Sequence, residues 1–314
     1  MKNKITKMLD LLFLTRPIIL VPVWAFTAFG MFNYTGRFLL NPSPSQFVLM
    51  TALSLSFASV YVINQMADYE VDKSNGGFPL LVKGNISMKA AGLCAFLCAL
   101  VSVAVPLIMG NKSVVLFSAL ALILGIMYSC KPFSFSGRPF LDFLSNALFA
   151  FFAFGSGWCI TGGNLADSEL YKTALPYFLL MCAGSISSTL PDMPGDREHG
   201  KITTAVFLGP KTANILALTA LVLASITSAL SSDQLAFWCA VAATPFYILY
   251  LVHPTSATME LTYKAGGGLT VVASMLALPA LIPVGILVFF STWLYFRKRH
   301  HVTYPSLVAD GVND

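Results

Sequence analysis

Asn64, Asp68 and Asp72 recur at every fourth residue. On a helix that spacing sets three oxygen-bearing side chains along one face, a turn apart. Asp192 and Asp196 repeat it later in the chain, although Pro194 and Gly195 between them favour a tight turn over regular helix. A carboxylate row at the end of an apolar helix is costly unless a cation neutralises it. Oxygen donors in this number suit a hard ion. Mg2+ takes one or two carboxylates, keeps several waters and completes its shell on substrate phosphates. Two acidic segments facing each other therefore describe a clamp on a diphosphate better than a closed calcium cage. Candidate cations for the phosphate oxygens are Lys73, Lys83, Lys131, Arg138, Arg197 and Lys201. Solvated loop acids are the ordinary alternative, and Asp10, Asp167, Glu169, Asp233, Glu260, Asp310 and Asp314 are read that way.

The elements that must position these residues follow from composition. Of 314 residues, 56% are hydrophobic and 11% charged, with a mean hydropathy of +0.75. Soluble domains carry about a quarter charged residues, so most soluble folds are excluded. Disorder, which needs low hydrophobicity, is excluded too. The net charge of +5 comes from basic residues scattered between apolar runs, not from a face suited to nucleic acid. The six cysteines do not form a disulfide framework. Cys94, Cys98, Cys159, Cys182 and Cys239 sit in apolar stretches as small hydrophobes, and no matching His or Cys makes Cys94 and Cys98 a metal pair.

A bilayer core needs about 20 apolar residues per helix. Nine segments qualify: 17–34, 46–64, 89–109, 113–129, 140–161, 173–190, 212–230, 235–252 and an overlong 267–296 containing Pro279 and Pro283. The expected fold is an all-α, polytopic membrane bundle of about nine helices forming one domain. It has two similar halves, roughly 1–139 and 140–265, and a final helix over 266–296. With a cytoplasmic N-terminus, the far side receives only Arg37, Lys112 and Lys172, plus Arg297, Lys298 and Arg299 in the tail. The tail cluster alone disagrees with that orientation, and an even helix count removes the disagreement. Four spans separate the two acidic segments, so both emerge on one side, expected to be the cytoplasm.

The run Asn64-Gln65-Met66-Ala67-Asp68-Tyr69-Glu70-Val71-Asp72 resembles the first aspartate-rich motif of the UbiA superfamily of intramembrane prenyltransferases. Pro191-Asp192-Met193-Pro194-Gly195-Asp196-Arg197, followed by Ala205-Val206-Phe207-Leu208-Gly209, is similar to the second motif and its trailing element. Arg16-Pro17, and Tyr128-Ser129 with Pro132, also match family habits. The resemblance implies a nine-helix bundle around a central cavity. It also implies Mg2+ held on a polyprenyl diphosphate by Asn64, Asp68, Asp72, Asp192 and Asp196. Some positions depart from the pattern: Gln65 and Thr189 replace common aspartates, Gly76, Gly77 and Phe78 replace basic residues, and Ser136 fills another basic place, leaving Lys131 and Arg138 as substitutes.

The chemistry expected is Mg2+-dependent transfer of a polyprenyl group from its diphosphate to a lipophilic or aromatic acceptor dissolved in membrane lipid. Neutralised oxygens make the diphosphate a competent leaving group. An allylic cation then needs a dry cavity with aromatic faces, for which Phe57, Tyr61, Tyr128 and Phe149 are the candidates. Asp142 reads as a helix-start residue. Asn146 either bonds between helices or orients the acceptor. His199 is either a phosphate contact or idle, and His253, His300 and His301 receive no role. Gln65 tilts the acceptor towards a quinone- or tocopherol-type aromatic. Two alternatives stand beside this reading: a terpene cyclase on the same scaffold, and, remotely, a cation-coupled transporter, which would need acids at mid-membrane in broken helices.

Overall fold

The computed structural model of the chain describes residues 2–39, 41–70, 73 and 79–305, and these hold helices and no strand. In order, the long helices are α1 (Lys2–Leu14), α2 (Leu20–Thr35), α3 (Pro44–Ala67), α4 (Met88–Ile108), α5 (Lys112–Ser129), α6 (Leu141–Ile160), α7 (Ser168–Ser188), α8 (Pro210–Leu230), α9 (Gln234–Val252), α10 (Ser256–Ala277) and α11 (Leu281–His300). A short 3-10 turn, Pro17–Ile19, joins α1 to α2. Their starts follow from local chemistry. Ser43 and Gln46 form a reciprocal capping box ahead of Pro44 in α3, Ser87 caps α4, and Asn111 caps α5. Each supplies an oxygen to a backbone N–H that would otherwise lack a partner.

Among the described residues, eight helical segments are long and apolar enough to cross a membrane. Helices α7 and α10 are of similar length but carry more polar residues. The stretch expected as one span over 267–296 is divided between α10 and α11. Pro279, in the break at Leu278-Pro279-Ala280, lacks the N–H that would continue a helix. The start of α10 escaped a hydropathy reading because it carries Glu260 and Lys264, which pair across one turn at 2.7 Å.

Helix α3 packs on α4 and α5, α2 on α6, α6 on α7, α7 on α8, and α8 on α9; α10 closes the ring against α9, α7 and α2. The α2–α6 crossing is backbone to backbone. A Cβ at Gly30 would lie 1.9 Å from the Phe154 carbonyl oxygen, and one at Gly157 would lie 2.0 Å from that of Thr27. Small residues permit such approach between membrane helices. The added turn-round at α11 returns the tail to the end of the bundle that holds α1, where Arg299 Nη2 meets Asp10 Oδ2 at 3.2 Å. Every Lys and Arg except Arg37, Lys112 and Lys172 then falls at that one end, and the tail no longer disagrees with the rest.

Candidate active site

Asp68 ends α3, its backbone N–H still bonded to the Asn64 carbonyl at 2.9 Å. The Asn64 amide donates to Asp68 Oδ2 (3.0 Å) and to Ser129 Oγ at the end of α5 (3.3 Å). Asp192 follows α7 and heads a short helix, Met193–Glu198, without making a side-chain cap bond; Asp196 lies in that helix's first turn. Lys201 Nζ reaches Asp68 Oδ1 at 3.3 Å and so bridges the two acidic segments. Thr203 donates to Asp196 Oδ2 at 3.3 Å. Asp72 lies outside the described residues.

The electrostatics match this placement. Asp192 is open to the mouth, yet the protein around it, together with the neighbouring Asp196, pushes its carboxyl above the usual aspartate value against the pull of Lys201. Asp196 is raised by burial and by Asp142 and Asp68, while Lys201 and the Thr203 hydroxyl hold it down. One ammonium thus serves three carboxylates. Asp68 also stands at the negative pole of α3, where a carboxylate is disfavoured. The donor set fits a hard divalent cation: it is all oxygen, in surplus of charge, and open to one side. Among the described residues no three His, Cys, Asp or Glu cluster closely enough to hold a metal by themselves.

Buried contacts sew the second acidic loop in place. Asp142, 2% exposed in the first turn of α6, accepts from Thr204 N at 2.8 Å and from the Thr204 hydroxyl. That hydroxyl accepts from Phe140 N at 2.7 Å. Ile202 N donates to Gly137 O at 3.1 Å, and Lys201 N to Asp196 O at 2.8 Å. Asp142 therefore does more than start a helix: it carries the loop that carries Lys201.

Beneath the mouth lies a cavity of about 200 Å³, whose lining includes Arg16, Phe57, Tyr61, Asn64, Tyr128 and Phe149. Phe149 meets Phe57 edge-on at 5.7 Å and Tyr128 at 6.3 Å. A second lobe of about 330 Å³ shares Phe26, Tyr61, Asn146 and Met181 with the first and extends to Ser188, Tyr247, Tyr263 and Gly267. Asn146 donates to Ser185 Oγ at 2.8 Å and lines both lobes, beside Tyr128 in the first, so it joins helices while facing both. Tyr263 lies within electrostatic reach of Asp192.

The structure thus brings together Asn64, Asp68, Asp192, Asp196 and Lys201 at the mouth, above Tyr128 and Asn146. Other expected cations stand apart. Arg138 is exposed and donates to Pro132 O at 2.6 Å in its own loop. Lys73, Lys131 and Arg197 are exposed, and Lys83 faces His300 at the end of α11. Gln65 does not line either lobe; its amide donates to Leu14 O (2.8 Å) and Tyr61 O (3.0 Å). Its amide therefore attaches α1 and does not itself face the acceptor space. Arg16, which lines the cavity beside Asn64, was missed as a site residue. The signal was available in the Arg-Pro pair opening the first span.

Known proteins agree with this architecture. The UbiA prenyltransferase family model matches residues 23–260. The chain is 29% identical over 231 residues to digeranylgeranylglyceryl phosphate synthase of Methanoregula boonei, covering 71% of this chain and 79% of that protein. It is 31% identical over 178 residues to a chloroplastic 2-acylphloroglucinol 4-prenyltransferase of Humulus lupulus, covering 54% of this chain and 43% of that one. A UbiA homologue from Archaeoglobus fulgidus, solved with GPP and Mg2+, superposes with a TM-score of 0.65 at 21% identity, over 85% of this chain and 99% of that one. A digeranylgeranylglyceryl phosphate synthase structure superposes at 0.67 with 18% identity, over 86% and 98%. Two acidic segments at one mouth, an aromatic cavity beneath them and a matching model over most of the length lead to one conclusion: the chain is an integral, multi-pass membrane enzyme of the UbiA prenyltransferase family.

Proposed function

We propose that the chain transfers a polyprenyl group from a polyprenyl diphosphate to a lipophilic or aromatic acceptor, with Mg2+ as cofactor, and releases diphosphate. The observation that carries this reading is the Lys201–Asp68 contact, which joins both acidic segments over one cavity. Asn64, Asp68, Asp72, Asp192 and Asp196 would hold the metal. Bound there, Mg2+ supplies positive charge to the departing diphosphate oxygens. Lys201 and Arg16 add charge-assisted hydrogen bonds, and Lys73, Lys83, Lys131, Arg138 and Arg197 supply the basic field at the rim that gathers the anion. The rings of Phe57, Tyr61, Tyr128 and Phe149 face the allylic carbon and stabilise its positive charge while excluding water. Asn146, shared by both lobes, orients the acceptor against that carbon.

Relatives named for glyceryl phosphate and acylphloroglucinol chemistry support a lipophilic or aromatic acceptor. The basic end of the bundle supports a cytoplasmic mouth. Helices α2–α5 and α6–α9 each place an acidic segment after their second member, which supports two related halves.

The test is a panel of acceptors incubated with purified protein, Mg2+ and geranyl, farnesyl or geranylgeranyl diphosphate, with products identified by mass. A prenylated acceptor formed with equimolar diphosphate is the expected result. A cyclic hydrocarbon made without any acceptor would replace this reading with the cyclase.

A further inference from the structure

The proposed chemistry does not use Asp10, an acid in α1 that is 1% exposed. Its Oδ1 accepts from the Tyr295 hydroxyl and from Arg299 Nε (3.3 Å), and its Oδ2 accepts from Arg299 Nη2 (3.2 Å). The Tyr295 hydroxyl hydrogen is engaged by Asp10, which leaves the oxygen to accept from His300 Nε2 at 3.3 Å. The Phe13 ring stacks on Tyr295 with centroids 4.0 Å apart. Burying a charge is costly, and apolar residues of similar volume would hold two helices together at least as well. What a bidentate pair adds is a fixed orientation. Helix α11 buries only 17% of its apolar window, so its docking is concentrated at this end, where Phe296 also packs on Phe13.

The orientation is passed towards the cavity. One turn after Asp10, the Leu14 carbonyl is held by Gln65, the neighbour of Asn64. Arg16 then adopts a left-handed conformation (φ 52°) that ends α1, and it joins the cavity wall with Tyr61 and Asn64. We propose that Asp10, Tyr295 and Arg299 are positioning residues: through α1 they set the placement of Arg16 and thereby the affinity for the prenyl diphosphate. The proposal rests on reading the mouth as a diphosphate site.

A double-mutant cycle on the full-length protein tests it, using Asp10→Asn, Arg16→Ala and the pair, with geranylgeranyl diphosphate and Mg2+ as probe. Loss of a charged hydrogen-bond partner should raise KM for the diphosphate about tenfold in Asp10→Asn. Its kcat should stay within about twofold and KM for the acceptor should stay unchanged, because the change is confined to diphosphate binding. The pair should be no worse than Arg16→Ala, since both changes act through one group. Tyr295→Phe keeps the ring stack and should shift KM the same way by less, so it carries the test should Asp10→Asn fail to fold. Additive effects, equal damage to both KM values, or wild-type kinetics with only lowered thermal stability would overturn the proposal. Failure of the diphosphate reading itself looks different: Arg16→Ala and Asp192→Asn would then leave diphosphate turnover intact.

Discussion

Asp167 and Asp233 begin α7 and α9 at the end of the bundle remote from the mouth. Each accepts a first-turn backbone N–H, from Glu169 at 2.9 Å and from Ala236 at 3.0 Å. A helix rewards a carboxylate there, through both the cap bond and the dipole. Asp68 stands at the opposite pole of α3, and Asp192 follows α7 without a cap bond. The first pair is explained by folding alone. The second gains nothing from its helix ends, and the cation proposed at the mouth is what would offset it.

Five experiments break or sharpen that contrast. Chelation with EDTA should abolish prenyl diphosphate turnover and Mg2+ should restore it. Mg2+ should also raise the unfolding midpoint of the native protein by binding it selectively, and an Asp68→Asn/Asp192→Asn double variant should not respond. Either single variant, Asp68→Asn or Asp192→Asn, should slow diphosphate release by about 10²- to 10³-fold, the scale for losing a preorganised electrostatic contact; a loss of only a few-fold would erase the distinction between the two ends. Lys201→Met, which removes the ammonium between the acidic segments, should weaken prenyl diphosphate binding about tenfold, read as KM. At the remote end, Asp233→Ala should cost about 1 kcal/mol of stability as a lost cap, with turnover per folded molecule unchanged in the same assay.

Much of this architecture is legible in the sequence. The period-four acids and the four spans between them placed both segments at one end, because helix direction alternates whatever the packing. The aromatic lining was legible only in part. Phe57, Tyr61, Tyr128 and Phe149 do face the first lobe, but Met181 and Tyr263, from helices distant in sequence, complete the second. The start of α10 was hidden because Glu260 and Lys264 lower its hydropathy while stabilising the helix as an ion pair. The contacts of Gln65 are not legible from spacing, because which neighbour meets its face depends on where α1 docks. The division of the cations followed the same logic. The sequence offers Lys73, Lys83, Lys131, Arg138, Arg197 and Lys201 alike, whereas Lys201 meets Asp68 from a loop that Asp142 anchors through Thr204.

The crossing of α2 on α6 limits how this enzyme can change its appetite for substrates. With carbonyl oxygens seated where Gly30 and Gly157 have no side chain, those two helices cannot be prised apart or padded without unseating the bundle. Helix α10 is the tolerant wall: a methyl group at Gly267 would meet nothing within 4 Å. Divergence towards bulkier or slimmer ligands is therefore channelled to that side, where residue size can drift while the reacting end stays as it is.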